Sequence, residues 1–151
     1  MTSDAVAILR DERDLLWLML DDFRASGDDR IVDVHFLARD VPDEPPVPFL
    51  SAWGVVEPAA GLVSLAESIG GMASGELRAL RHDPIGPGLS MEMKAGDRAC
   101  EVVLWLDLVR MSDALKARGV RGRHQAGMRM FVDHAALSGF RAGLLQLAYP
   151  E

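Results

Sequence analysis

The side chains able to do chemistry are few and scattered. His35, His82, His124 and His134 lie far apart, and none has a second His or Cys two to four residues away. That spacing is what lets one turn or hairpin present two ligands to a metal. Asp133 and His134 are adjacent, but sequence neighbours do not face one site, and Asp133 is well placed to cap a helix. A nucleophilic serine needs an exposed, strained turn with a base within reach. Ser51, Ser64, Ser68, Ser74, Ser90, Ser112 and Ser138 stand in no such context. Gly70-Gly71 and Gly86-Pro87-Gly88 form neither a phosphate loop nor a dinucleotide fingerprint. Cys100, the single cysteine, permits no intrachain disulfide and falls in an apolar run, where it reads as a small core residue. These residues predict a protein that is not an enzyme and that holds neither metal nor cofactor.

Charge is the more informative property. The formal net charge is −7, unevenly spread. Through Glu57 there are 13 acids against 5 arginines, whereas from Pro58 onward 10 acids meet 11 lysines and arginines. Nucleic-acid binding wants a basic face, so it is excluded as an expectation. The acidic third suits a surface that meets a basic protein, and equally one that is simply solvated. One basic stretch stands against this background. From Arg110 to Arg129 there are six cations and a single acid, Asp113. It is readable as an acid-binding loop, as a solvated connection, or as a strip that pairs with the protein's own acidic third. Complementary acidic and basic regions also allow self-association, including a homodimer.

The elements that must position these groups are read from periodicity. The run Ala99–Leu108, ACEVVLWLDL, is apolar almost without a break, as a central strand requires. Its exceptions, Glu101 and Asp107, share a face with Val103 and Trp105. Buried carboxylates need partners, so either that face is open to solvent near the strand ends or they pair with arginines such as Arg78 or Arg129 on neighbouring strands. The other face, Cys100, Val102, Leu104, Leu106 and Leu108, is expected to be dry. Ala5–Leu9 and the wholly apolar Leu15–Leu20 flank a charged turn. They fit two strands better than one helix over 4–23, though periodicity alone does not decide. Asp21-Asp22 and Ala25–Asp29 read as a loop, Ile31–Ala38 as an alternating strand, and Val41–Pro48, with four prolines, as a loop or an edge.

Beyond Glu57 the period becomes helical. Leu62, Leu65, Ala66 and Ile69 form one stripe, which predicts a helix over about 58–73 that Gly70-Gly71 would end or fray. Strands over 76–81 and 89–94 follow, then the central strand. Next come a short helix capped by Ser112, a strand over 128–132, and a last helix over about 134–147 with Leu137, Phe140, Leu144 and Leu147 on its buried side. There is no internal sequence repeat.

Leu89, Met91 and Met93, then Gly96-Asp97, then Val102, Leu104, Leu106 and Leu108 make a hairpin pattern. Phe131, Asp133, Leu137, Phe140 and Leu144 complete it. Over about residues 57–147 this resembles small immunity proteins of bacterial polymorphic toxin systems and related bacterial families. The resemblance implies a non-catalytic protein that binds and blocks a toxin.

The expected fold is a single α+β domain over 1–151, a mostly antiparallel sheet of six to eight strands with two main helices. No run of ~18 apolar residues predicts a membrane span. The acidic N-terminus lacks the basic start of a secretory signal, so the cytoplasm is the expected location. The expected function is masking of a basic protein partner, a toxin domain, by Asp21, Asp22, Asp28, Asp29, Asp40, Asp43 and Glu44. A second surface is expected at Trp105, Arg118, Arg121 and Arg123. The alternatives are a self-associating structural or regulatory module and a small ligand-binding protein.

Overall fold

The computed structural model describes residues 2–3, 6–84, 88–119 and 124–150. The chain runs β1 (Thr2–Ser3), β2 (Ala7–Arg10), β3 (Leu16–Ser26), β4 (Asp29–Ala38), β5 (Val47–Pro58), α1 (Ala59–Ser74), β6 (Ala79–His82), β7 (Leu89–Ala95), β8 (Cys100–Asp107), α2 (Val109–Lys116), β9 (Gln125–Val132) and α3 (His134–Ala148). The α+β class, the mid-chain helix and the C-terminal helix are as the patterns predict. The antiparallel strands belong to two sheets. The first has the order β3-β4-β5, with β1 and β2 sharing the remaining edge of β3. The second is β6-β7-β8-β9. Each sheet is therefore four strands wide. Although the sequence carries no repeat, both halves follow one plan, an antiparallel meander and then a helix, and α1 packs on α3.

Leu15–Leu20 is apolar at every position because one side of β3 enters the core while the other is half covered. Leu18 and Leu20 are buried, whereas Trp17 and Met19 are intermediate. The charged turn at 11–15 separates β2 from β3, so the two-strand reading of the N-terminus holds. Asp11 tightens this turn by accepting from the Leu15 and Leu16 N–H groups at 2.7 and 3.2 Å.

Within the second sheet, β8 lies between β7 and β9. Cys100, Val102, Leu104 and Leu106 are all at or below 1% exposure and face Met91, Met93, Met128, Met130 and Val132. One contiguous apolar cluster takes in both inner sheet faces and the buried stripes of α1 and α3. Burial in it pushes the Cys100 thiol up from its ordinary value, against a smaller opposing pull from Arg78.

The sheets are tied at two corners. Glu12 N–H donates to the Phe131 carbonyl of β9 at 2.7 Å. At the other edge, His82 Nε2 of β6 lies 3.3 Å from Glu57 Oε1 of β5, a largely buried pair. The Glu57 carboxylate also sits beside the first turn of α1, where helix-terminal amides favour negative charge.

Several local expectations are corrected. Gly70-Gly71 does not end α1, which runs to Ser74 and stops at left-handed Gly75. The glycines let side chains pack close to the helix: a Cβ on Gly71 would stand 2.8 Å from Leu77, and one on Gly70 would meet Arg141 at 3.0 Å. The short helix α2 begins at Val109, not at a Ser112 cap. Asp21 and Asp22 belong to a strand rather than a loop, because β3 continues to Ser26 and the connection to β4 is only Gly27-Asp28. Neither Arg78 nor Arg129 is among the partners described for Asp107. It is buried, accepting from Gly88 N–H at 2.8 Å and from Gln125 Nε2 at 3.1 Å. Glu101 does meet Arg129, at 3.8 Å. Asp133 caps α3 as expected, accepting from Ala136 N–H at 2.8 Å.

Candidate functional site

The first sheet is bent along a line of irregular pairing. On β3 the register shifts between Asp21 and Arg24, and on β5 it shifts opposite Val32–Val34, so Trp53 and Gly54 together oppose Asp33. Bulges of this kind leave a residue out of the ladder and re-aim its side chain. Each one has a left-handed residue, Asp22 at φ 51° and Gly54 at φ 67°. Glycine takes that conformation freely, and aspartate does so more readily than most side chains.

Asp33 holds the bend. It lies on the outer face of β4, buried, and its Oδ1 accepts from Gly54 N–H at 2.8 Å and from Arg24 Nη2 at 3.2 Å. The amide that the bulge frees from the ladder is thereby satisfied, as a buried donor must be.

Next to this lies a hydrogen-bonded row across three strands. His35 Nε2 is 3.0 Å from Asp21 Oδ1, and His35 Nδ1 is 2.7 Å from Ser51 Oγ. The register explains the row: His35 stands directly opposite Ser51, and Asp21 is one diagonal step away. Trp53 meets the His35 ring edge-on, with centroids 5.0 Å apart. Two thirds of Trp53 nonetheless faces solvent, at 67% exposure.

Asp21, His35 and Ser51 are the residue types of an acyl-transfer triad, and no pattern in the sequence reveals their proximity. For that chemistry Ser51 would also need donors aimed at a developing oxyanion. The bulge amide beside it, Gly54 N–H, is already given to Asp33. As built, the row fixes three strands together and supports Trp53.

Two rows further along the same face is a second aromatic centre. Trp17 Nε1 donates to Asp14 Oδ1 at 2.8 Å. The guanidinium groups of Arg10 and Arg39 lie 4.1 and 5.2 Å from the Trp17 ring and reach the Asp14 carboxylate at 4.0 and 2.6 Å. Arg39 also donates to the Glu44 carbonyl at 3.1 Å, which fastens the β4–β5 loop.

The predicted acidic residues are not gathered at one point. Asp28 and Asp29 are exposed at the β3–β4 turn, while Asp40, Asp43 and Glu44 are exposed in the loop at the far end of β4. Ten residues of strand separate the two groups, about 30 Å. Asp21 and Asp22 lie between them at the bend. What sequence reasoning missed is the set of exposed apolar side chains along β5, where Trp53 stands on the His35 side and Phe49 against the Phe36 ring. On β5, the edge strand of the sheet, Val47, Phe49, Trp53 and Val56 are 63%, 55%, 67% and 47% exposed. An isolated glycine inside a strand pattern, as in Ala52-Trp53-Gly54, is the signal that marks the bulge.

The second predicted surface is only partly assembled. Trp105 is 42% exposed on the outer face of the second sheet, where its ring lies over Gly127; a Cβ there would stand 2.6 Å from it. Arg118 is exposed beyond α2, and Arg121 and Arg123 lie outside the described residues. Between α1 and α3 there is a cleft of about 590 Å³ lined by Glu67, Gly70, Gly71, Ser74, Ser138 and Arg141 among others. Among the described residues no group of three or more His, Cys, Asp or Glu side chains is placed to hold a metal, and no helix is long and apolar enough to cross a membrane.

No protein-family model, curated protein or solved structure matches this chain.

Proposed function

We propose that the protein is a non-catalytic binding domain of immunity type, which neutralises a basic toxin domain by covering its surface with the outer side and edge of the first sheet. The observation that carries this reading is the set of exposed apolar side chains on β5, Val47, Phe49, Trp53 and Val56. Monomers seldom leave several large apolar groups exposed along one strand unless something covers them, and aromatic anchors dominate protein interfaces. The carboxylates fit the same reading. Asp40, Asp43 and Glu44 precede Val47 in the β4–β5 loop, and Asp21 is joined to Trp53 through His35, so acid flanks the exposed apolar strand. Flanking acid of this kind selects a basic partner and speeds encounter. We place the protein in the cytoplasm, where it would meet such a toxin before release.

The test is binding to the products of the reading frames adjacent to this chain's own, read by titration calorimetry at low and high salt. Trp53→Ala is expected to weaken binding at least tenfold at both salt concentrations, since truncating an interface anchor commonly costs ~2 kcal/mol or more. Charge reversal at Asp40, Asp43 and Glu44 is expected to weaken it chiefly at low salt. Unchanged affinity in both variants refutes the proposal.

A further inference from the structure

The protein already contains one complete aromatic–carboxylate–cation unit on this face, and beside it an incomplete one. At Trp17 every part is present: an indole, the Asp14 carboxylate bonded to its Nε1, and two guanidinium groups that lie against the ring and share that carboxylate. At Trp53 the indole and carboxylates are present without the cation. Trp53 rests on His35, which is bonded to Oδ1 of Asp21. Asp21 Oδ2 accepts no hydrogen bond among the described residues, and the Asp21 side chain is 31% exposed. Asp22, in its left-handed conformation, is exposed next to it. Arg24, on the same strand as Asp21, is paired with Asp33 at 3.2 Å, and no cation of the described residues lies over the Trp53 ring.

We infer that Trp53 and Asp21 form a receptor for an arginine side chain of the protein partner, whose guanidinium stacks on the open indole while its N–H groups pair with Asp21 Oδ2. This rests on the proposed binding function and names what that site recognises. Arginine is favoured over lysine because a planar, weakly hydrated guanidinium stacks on an aromatic ring and still presents its N–H fork to a carboxylate. The backbone around the receptor is fixed beforehand by the Asp33–Gly54 bond and the Asp21–His35–Ser51 row. Little ordering is left for the moment of binding, and preorganisation of this kind favours affinity.

The test uses the full chain and three blocked tripeptides, Gly-Arg-Gly, Gly-Lys-Gly and Gly-citrulline-Gly, followed through the indole N–H resonance of Trp53. The arginine peptide is expected to move that resonance saturably. The lysine peptide should bind at least threefold more weakly, and the citrulline peptide, isosteric but uncharged, should not saturate. Asp21→Asn keeps an acceptor for His35 and so preserves the fold, and it should weaken the arginine peptide at least fivefold. Trp17 and Trp105 indole resonances unchanged from wild type, at sites away from the substitution, show that the Asn variant is intact. The inference is overturned if Trp53 ignores the arginine peptide, if lysine binds equally well, or if Asp21→Asn binds as tightly as wild type. It fails separately from the proposed function. Loss of toxin binding on Trp53→Ala with no response to the arginine peptide removes the receptor and leaves the interface. A response to the peptide with toxin binding unchanged by Trp53→Ala leaves the receptor and removes the interface.

Discussion

Replacing Asp33 with alanine tests the physical basis of the site. Asp33 is buried, and its Oδ1 holds both the freed amide of the β5 bulge and the guanidinium of Arg24. Alanine leaves Gly54 N–H without an acceptor, and the loss of a hydrogen bond to a charged group costs ~1.5–3 kcal/mol. The Arg24 pair adds less, because that side chain is 41% exposed and partly exposed pairs contribute ~0.2–1 kcal/mol. Asp33→Ala is therefore expected to lower stability by about 2–4 kcal/mol. At ~2–4 °C per kcal/mol for a chain of this size, the melting temperature should fall by roughly 5–15 °C. Urea unfolding followed by far-UV circular dichroism measures the first quantity and calorimetry the second. Asp33→Asn separates the two roles: it keeps an oxygen for Gly54 and loses the charge facing Arg24, so it should cost less than half as much. In the alanine variant the Trp53 indole resonance should also broaden or move, since the bulge that aims the ring is released. A loss below ~0.5 kcal/mol, or an asparagine variant as damaged as the alanine one, refutes the reasoning that this carboxylate holds the bend.

Two further outcomes follow from the second sheet. Gly127→Val places a Cβ 2.6 Å from the Trp105 ring and 2.9 Å from the Leu104 carbonyl oxygen. The ring can swing away but the backbone oxygen cannot, so a net loss of ~1–3 kcal/mol is expected in chemical denaturation despite the better strand propensity of valine. Cys100 is buried with its pKa raised above the ordinary 9.0. Its thiol should resist disulfide reagents in the native state and react on unfolding. The sign of its linkage is fixed: above about pH 9 the unfolded chain releases the thiol proton while the folded chain keeps it, so stability contributed at this site falls as pH rises beyond that point. Constant stability from pH 8 to 10 in a comparison of wild type with Cys100→Ala would show the thiol to be less buried than described.

The parts of the fold legible in the sequence are those in which local pattern and tertiary burial agree. Val102, Leu104 and Leu106 alternate because one face of β8 is dry, and the stripe of Leu137, Phe140, Leu144 and Leu147 begins at an aspartate that does cap the helix. Gly70-Gly71 misleads because glycine breaks helices by propensity, whereas here its missing side chain admits Leu77 and Arg141. Division into two sheets is not written in any single strand, because it depends on which edges pair. The site was less legible for the same reason. The acid of the first third is plain in composition, but the meeting of Asp21, His35 and Ser51 is a fact of inter-strand register, and a one-residue slip would put them on opposite faces. Asp107 shows the same limit. A buried carboxylate calls for partners, and those it found include a backbone amide and a glutamine, neither of which the strand pattern singles out.

If the outer side and edge of the first sheet form the partner's footprint, hydrogen exchange of the chain with and without the adjacent-frame product that binds it measures that footprint directly. Slowed exchange is expected over residues 40–56, where the edge strand β5 and its acidic loop lie, with the amides of β8 and β9 unchanged. Protection confined to residues 101–107 and 125–132, with 40–56 exchanging as in the free chain, would contradict it.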